Sequence, residues 1–248
     1  VTNAGGAVAV TLGTATLGGN AVIDTAPPVA MTLGAVGDGG TGYTLTKAGG
    51  GALTLSAAGT TAGGTIVQDG TLFLAADDRL GTPPGSPTAG HLTLSAGTLA
   101  ATAGFTLDAN RGWALGPSAG TGSATVDVAV ASILSYGGTM ANNGAGSGVL
   151  VKTGAGTLDL SGANTYGGGT VVLAGKLLAN NTSGSALGSG PLTVGNLATL
   201  GGTGVVSGID VVAAATLGQV VEYLRSGTRF EPGAQGRGGE RQPLPPVQ

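Results

Sequence analysis

Cysteine is absent from all 248 residues, so no disulfide braces this chain. Exported proteins need not carry disulfides, and the absence suits an export route that keeps the chain uncrosslinked; a Cys-poor proteome accounts for it equally well. Charge is nearly as scarce, at 8% of residues with a net charge of −3 and an isoelectric point near 4.9. No basic footprint for nucleic acid exists. Aromatics make up 3%, with one Trp (Trp113), three Phe and four Tyr. A globular domain of this size normally packs several large rings in its core, so an elongated body filled by Val, Leu and Ile is favoured. No run of 18 apolar residues marks a transmembrane helix. Val1-Thr2-Asn3-Ala4-Gly5-Gly6 lacks the charged start and apolar core of a signal peptide, and reads as the beginning of a fragment inside a longer repeat region.

Glycine is what the chain has instead, at 52 residues, about three times its average usage. Collagen is excluded, because Val8–Leu12 and Thr65–Asp69 contain no Gly. A flexible linker is excluded by 41% hydrophobic residues and a mean hydropathy of +0.35, since disordered chains have too little apolar surface to offset their ordering entropy. A repetitive β protein remains.

The repeat is visible directly. The stretch from Tyr43 to Ala75, shifted by 105 residues, meets the stretch ending at Asn180 without a gap. Lys47 falls on Lys152, Gly49 and Gly51 on Gly154 and Gly156, and Leu53 and Leu55 on Leu158 and Leu160. Gly63-Gly64-Thr65 falls on Gly168-Gly169-Thr170, and Gly70 on Gly175. After a length change, Leu80-Gly81 resembles Leu187-Gly188, and the segment from His91 resembles that from Pro191. Thr-Leu-Thr-Leu alternation at Ala52–Leu55, Thr157–Leu160 and Leu92–Leu94 puts Leu on one strand face and Thr or Asp on the other. Gly-rich corners separate these strands. Such spacing also suits a sandwich or barrel, but a gapless long-range repeat with aliphatic inward positions favours stacked rungs of about 20 to 25 residues. Phe105–Gly148 between the units reads as strands at Phe105–Leu107, Ala124–Val130 and Ser132–Tyr136, with no helix. The expectation is an all-β, right-handed parallel β-helix over residues 1–218, with repeat units near 43–75 and 148–180. Residues 219–248 hold four of the six Arg, all three Glu and four Pro, whereas the preceding part uses nine Asp and no Glu. Either a short cap leads into a disordered tail, or the gene end carries a frame error, which the abrupt switch of acidic residue favours.

Each chemical candidate has a plainer reading. His91, the single His, aligns with Pro191, which marks an exposed strand start rather than the base a nucleophilic site needs. Asp77-Asp78, Asp108, Asp127 and Asp159 are candidates for paired carboxylates, but Asp159 aligns with Thr54 on an outward face, and Asp77-Asp78 before Arg79 reads as a solvated turn. Gly37-Asp38-Gly39-Gly40-Thr41-Gly42 resembles half of a calcium nonapeptide, a motif that works only as stacked copies, so a plain Gly-rich turn is favoured. Asp108-Ala-Asn-Arg111-Gly-Trp113 reads as a structured corner, with Arg111 paired to Asp108 and Trp113 closing the wall. Outward threonines evoke water-ordering solenoids, but their register drifts. No catalytic, metal or cofactor residue is assigned.

Leu150 to Thr170, LVKTGAGTLDLSGANTYGGGT, closely resembles the passenger-associated transport repeat, also called the autotransporter-associated β-strand repeat, with pattern LxKxGxGTLxLSGxNTYxGGTxVxxGxL. The second unit departs at Lys176, where Thr is usual; the first replaces Asn-Thr-Tyr with Gly59-Thr-Thr61. Leu107–Gly116 is similar to the linking segment of long arrays, and the matches span most of residues 30–205. The resemblance implies a β-helical passenger, secreted or displayed at the surface of a Gram-negative-type bacterium. Its role would be structural and transport-assisting, non-enzymatic and without cofactors. Its partners would be the outer-membrane translocation machinery in transit, with surface glycans or matrix if it is an adhesin, and no nucleic acid or small-molecule substrate. The competing class is a carbohydrate-binding or polysaccharide-degrading β-helix, which needs Asp residues gathered in one groove with Trp113 or Tyr166.

Overall fold

The computed structural model describes residues 8–206 and the strand Val211–Ala213; residues 219–248 lie outside the described residues. The strand pairs among the described residues are parallel. Parallel strands cannot be joined by tight hairpins; here the chain instead winds through three faces before returning to the first. The body is therefore a parallel β-solenoid, as the repeat led us to expect.

The first face stacks Val8–Leu12, Val29–Leu33, Ala52–Leu55, Thr71–Leu74, Thr98–Ala101, Thr121–Val128 and Ser147–Thr153. It continues through the first halves of Thr170–Ala179 and Leu192–Gly201 to Val211–Ala213. Ten strands at a spacing of about 4.8 Å make this face about 43 Å long. The second face holds Phe105–Leu107, Ile133–Tyr136, Thr157–Leu160 and the second halves of the two ten-residue strands. The third holds Ala21–Asp24, Leu45–Ala48, Thr65–Val67, Thr88–Leu94, Arg111–Leu115 and Met140–Asn142.

Alternation decides which side chains enter the interior. On the first face, Leu53, Leu72, Leu99, Val126, Lys152, Val172 and Val194 pair in succession, and all are buried. Like residues stacked in register fill this face with aliphatic side chains, in keeping with the Val/Leu composition, while the large rings Trp113, Tyr136 and Tyr166 are buried elsewhere in the body. Truncating one such leucine to Ala costs about 2–5 kcal/mol. Outside this column the threonines form two runs: Thr11, Thr32 and Thr54 stack together, then Thr71, Thr98 and Thr125 in the neighbouring column. The shift between columns is the drift seen in the sequence.

Coil length varies. Leu53 pairs with Leu72 and Leu158 with Leu177, the same short step in each repeat, whereas Phe105 pairs with Leu134 across a coil half as long again. Coil lengths are thus unequal, and the shift that superimposes the two units is more than a whole number of turns. Leu45–Ala48 lies on the third face, but its repeat mate Ser147–Thr153 lies on the first. Likewise Ala52–Leu55 is on the first face, and its mate Thr157–Leu160 is on the second. From one unit to the next the chain makes four coils and one further face.

Candidate functional site

The repeat's most polar residue is turned inward. Lys47 and Lys152 are both buried, and each replaces an aliphatic residue in an inward column, Lys47 between Ile23 and Val67 and Lys152 between Val126 and Val172. A buried ammonium must find acceptors. Lys47 Nζ donates to the carbonyls of Ala48 (2.7 Å), Gly49 (2.5 Å) and Asp69 (3.1 Å). Lys152 Nζ donates to those of Thr153, Gly154 (2.9 Å) and Ala174 (3.4 Å). The two sets correspond under the repeat shift. In each, two carbonyls come from the lysine's own turn and the third from the turn of the following coil, so one side chain ties two coils together.

The glycines of the motif make the cage possible. Gly49 and Gly154 have φ of +70° and +73°, the left-handed region that glycine enters without a Cβ penalty. That turn points two successive carbonyls at the ammonium. A Cβ on Gly70 would lie 2.8 Å from Lys47 Nζ and collide with Gly51 O, and one on Gly175 would collide with Gly154 O and Gly156 O. Burial pushes the Lys152 pKa down to about 8, against the opposing pull of Asp127. Lys47 is lowered by burial as well, with Asp69 and Asp24 pulling it back up.

The rest of the motif bridges coils in the same way. Asn164 is buried; its Oδ1 accepts from Met140 N (2.7 Å) in the preceding coil, and its Nδ2 donates to Ala186 O (2.5 Å) in the following one. Tyr166 is buried with its hydroxyl 2.7 Å from Thr170 Oγ1, which also donates to Leu187 O. In the first unit, which lacks Asn-Thr-Tyr, Thr61 Oγ1 donates to Leu80 O. Sequence reasoning used Lys47 and Lys152 only as alignment markers. Their role was signalled by their position two residues after Leu45 and Leu150, on the leucine side of the alternation.

The structure brings Asp77, His91, Asp108 and Arg111 into one neighbourhood, where Asp108 N donates to Asp77 Oδ1 at 3.1 Å, and leaves Asp38, Asp127 and Asp159 elsewhere. His91 is 7% exposed and not an exposed strand start; burial and the nearby Arg111 cation hold its pKa down, against Ala62 and Asp77, and its Nε2 has no partner among the described residues. Arg111 pairs with Asp77, not with Asp108. Its Nε donates to Asp77 Oδ1 at 2.8 Å and its Nη2 to Gly81 O at 2.6 Å. Asp108 instead accepts from Asn110 N. Asp77 thus begins a short 3-10 helix, Asp77–Leu80, anchored to the next coil rather than a solvated turn, because a buried guanidinium requires a carboxylate within reach. Trp113 lies inside the body against Tyr136, ring centroids 5.5 Å apart and edge to face. Asp159 accepts from Asn180 Nδ2 and Asp127 from Thr153 Oγ1. Asp38 caps its glycine turn: burial raises its pKa, but the N–H groups of Gly40, Ala62, Tyr43 and Gly42 outweigh that and leave it lowered. Both of its carboxylate oxygens thus accept from backbone N–H groups of the turn and of the following coil. A groove of about 400 Å³ borders Trp113, floored by Gly90, Gly112, Ala114, Gly138 and Ala141, and no acidic side chain lines it.

What the geometry defines is a coil-stapled parallel solenoid whose motif residues are spent on contacts between turns. Two stretches, residues 45–72 and 150–179, match the passenger-associated-transport-repeat family. In an alignment 173 positions long that covers 62% of the chain, it is 34% identical to a protein named adhesin BmaC autotransporter of Brucella suis biovar 1 (strain 1330). The chain spans 4% of that relative's length. No solved structure matches. The chain thus carries two copies of the passenger-associated transport repeat and is similar over more than half of its length to a small part of a protein named as an autotransporter adhesin.

Proposed function

We propose that the chain is a structural, transport-assisting stalk segment without a catalytic, metal or cofactor site of its own. The observation that carries this reading is the use of the repeat's polar residues: Lys47, Lys152, Asn164, Tyr166 and Thr170 all bond within or between coils. Of the acidic residues that a polysaccharide-cleaving site would gather, Asp77 lies beside Asp108 but is held by Arg111 and the Asp108 N–H, while Asp127 and Asp159 are held by Thr153 and Asn180 on other coils. Each coil offers the next a complete edge of backbone donors and acceptors, so folding propagates between nearest neighbours, as in other quasi-one-dimensional repeats. In transit this would convert stepwise emergence at the outer-membrane translocation machinery into stepwise folding. On the same reading residues 1–218 form one solenoid segment and residues 219–248 stand apart from it.

The test places Lys47→Met and Lys152→Met together in the full-length gene and measures surface delivery by protease accessibility on intact cells. Delivery falling well below that of the unaltered protein is the expected result. Undiminished delivery would overturn the transport role, and polysaccharide turnover by the purified chain would overturn the absence of a catalytic site. The name of the Brucella relative favours one second reading, adhesion to glycans or matrix, which a binding screen of the purified chain would reveal.

A further inference from the structure

The lysine cages have a component that the repeat motif does not contain. In the third face Asp24 pairs in register with Ala48, the residue after Lys47; in the first face Asp127 pairs with Thr153, the residue after Lys152. The stretch of chain from Asp24 to Lys47 is shorter than that from Asp127 to Lys152, so no fixed sequence offset relates acid to lysine. Stacking alone brings the two acids to the same place. Both carboxylates lie against the glycine whose carbonyl receives the ammonium: a Cβ on Gly49 would collide with Asp24 Oδ1, and one on Gly154 would sit 3.0 Å from Asp127 Oδ1. Asp127 is further fixed by Thr153 Oγ1, which donates to its Oδ2 at 2.9 Å.

We propose that the working unit is a three-coil lock that begins one coil before the matched residues. An aspartate of the preceding coil positions the ammonium, the lysine's own turn supplies two carbonyls, and the turn of the following coil supplies the third. Asp24 and Asp127 lie outside the family-matched stretches 45–72 and 150–179, yet complete the charge balance within them. The two locks differ in one respect. Lys47 faces two carboxylates, Asp24 and Asp69, whereas Asp69 is replaced by Ala174 at the second lock, leaving Asp127 as the acid that supports Lys152. The second lock therefore depends more on its upstream aspartate than the first. Because the second unit is turned one face further round, the locks also fasten two different corners of the body. Such a lock acts on assembly of the coils, whether or not the chain assists transport.

The experiment follows the titration of the lysine side chains by NMR in the whole chain, with Asp24→Asn and Asp127→Asn. Asp127→Asn is expected to move the Lys152 midpoint downward, and Asp24→Asn to move that of Lys47 less, since Asp69 remains. A Lys152 midpoint unmoved by Asp127→Asn would overturn the proposal. A second measurement covers a poorly folding single variant: the stability lost through Asp127→Asn is measured with Lys152 present and with Lys152→Met. The lock requires a smaller loss in the Met background; equal losses in both would refute it. Lys152→Ala should also regain stability with propylammonium and not with propanol, whereas equal rescue by both would reduce the lysine to a space filler.

Discussion

Lys152→Met isolates the staple, because Met matches the length of the lysine stem and suits the aliphatic column between Val126 and Val172. Two opposing effects set the outcome. Bringing an ammonium into the interior costs about 3 kcal/mol, from a pKa lowered from 10.5 to about 8 at 1.36 kcal/mol per unit. Against this stand three charge-assisted bonds to Thr153, Gly154 and Ala174 carbonyls, at roughly 1.5–3 kcal/mol each. The bonds outweigh the cost by about 1.5–6 kcal/mol; with the Ala174 bond long at 3.4 Å the balance lies toward its low end, so Lys152→Met should destabilise the chain by about 2–3 kcal/mol at pH 7, the carbonyls being left without their donor. For a body of this size that lowers Tm by roughly 5–10 °C. Trp113, the single tryptophan and fully interior, reports urea unfolding by its fluorescence without a label. A Lys152→Met chain as stable as the unaltered one, or more so, would refute the reasoning, showing that desolvation wins and that the lysine is retained for something other than stability.

The same lysine makes stability depend on pH. The folded chain gives up the Lys152 proton near pH 8 and the unfolded chain near 10.5, so between those values the unfolded state binds more protons and stability rises with pH; urea midpoints measured from pH 7.5 to 10.5 should climb in the unaltered chain and flatten in Lys152→Met. His91 acts at the acid side: its folded pKa lies below 6.5, so stability is full above pH 6.5 and is lost as pH falls through the lowered value, a loss that His91→Leu should remove from an acid titration followed by circular dichroism. Arg111→Met strips the partner from Asp77 and removes the donor to Gly81; breaking a buried pair from one side costs about 3–5 kcal/mol, and equal urea midpoints for variant and parent would contradict it. Gly154→Ala forces a Cβ into a φ of +73° and into Val128 O, and calorimetry should show a loss exceeding the roughly 1 kcal/mol of strain expected from the dihedral alone.

Much of the fold could be read along the chain because its causes are local. Leu-x-Leu alternation fixes which side of a strand is buried whatever the strand pairs with, and the glycines mark the corners because only they enter the left-handed region cheaply. The gapless match of Lys47 through Gly70 with Lys152 through Gly175 announces stacked copies. What the chain could not disclose is everything set by coil length. The short coil from Leu53 to Leu72 and the longer one from Phe105 to Leu134 stack equally well, since corners absorb the difference, so spacing does not tell which strands are neighbours. For that reason the rotation of the second unit by one face, the pairing of Arg111 with Asp77 from the coil below rather than with Asp108 nearby, and the burial of His91 appeared only in three dimensions. The lysines show the division most clearly. Sequence alone determined that two of them recur in strand-forming repeats on the leucine side of the alternation. Only stacking decided that each is caged by carbonyls of two coils and faced by an aspartate of a third, because the partners in the other coils are distant along the chain and become neighbours only across the rungs.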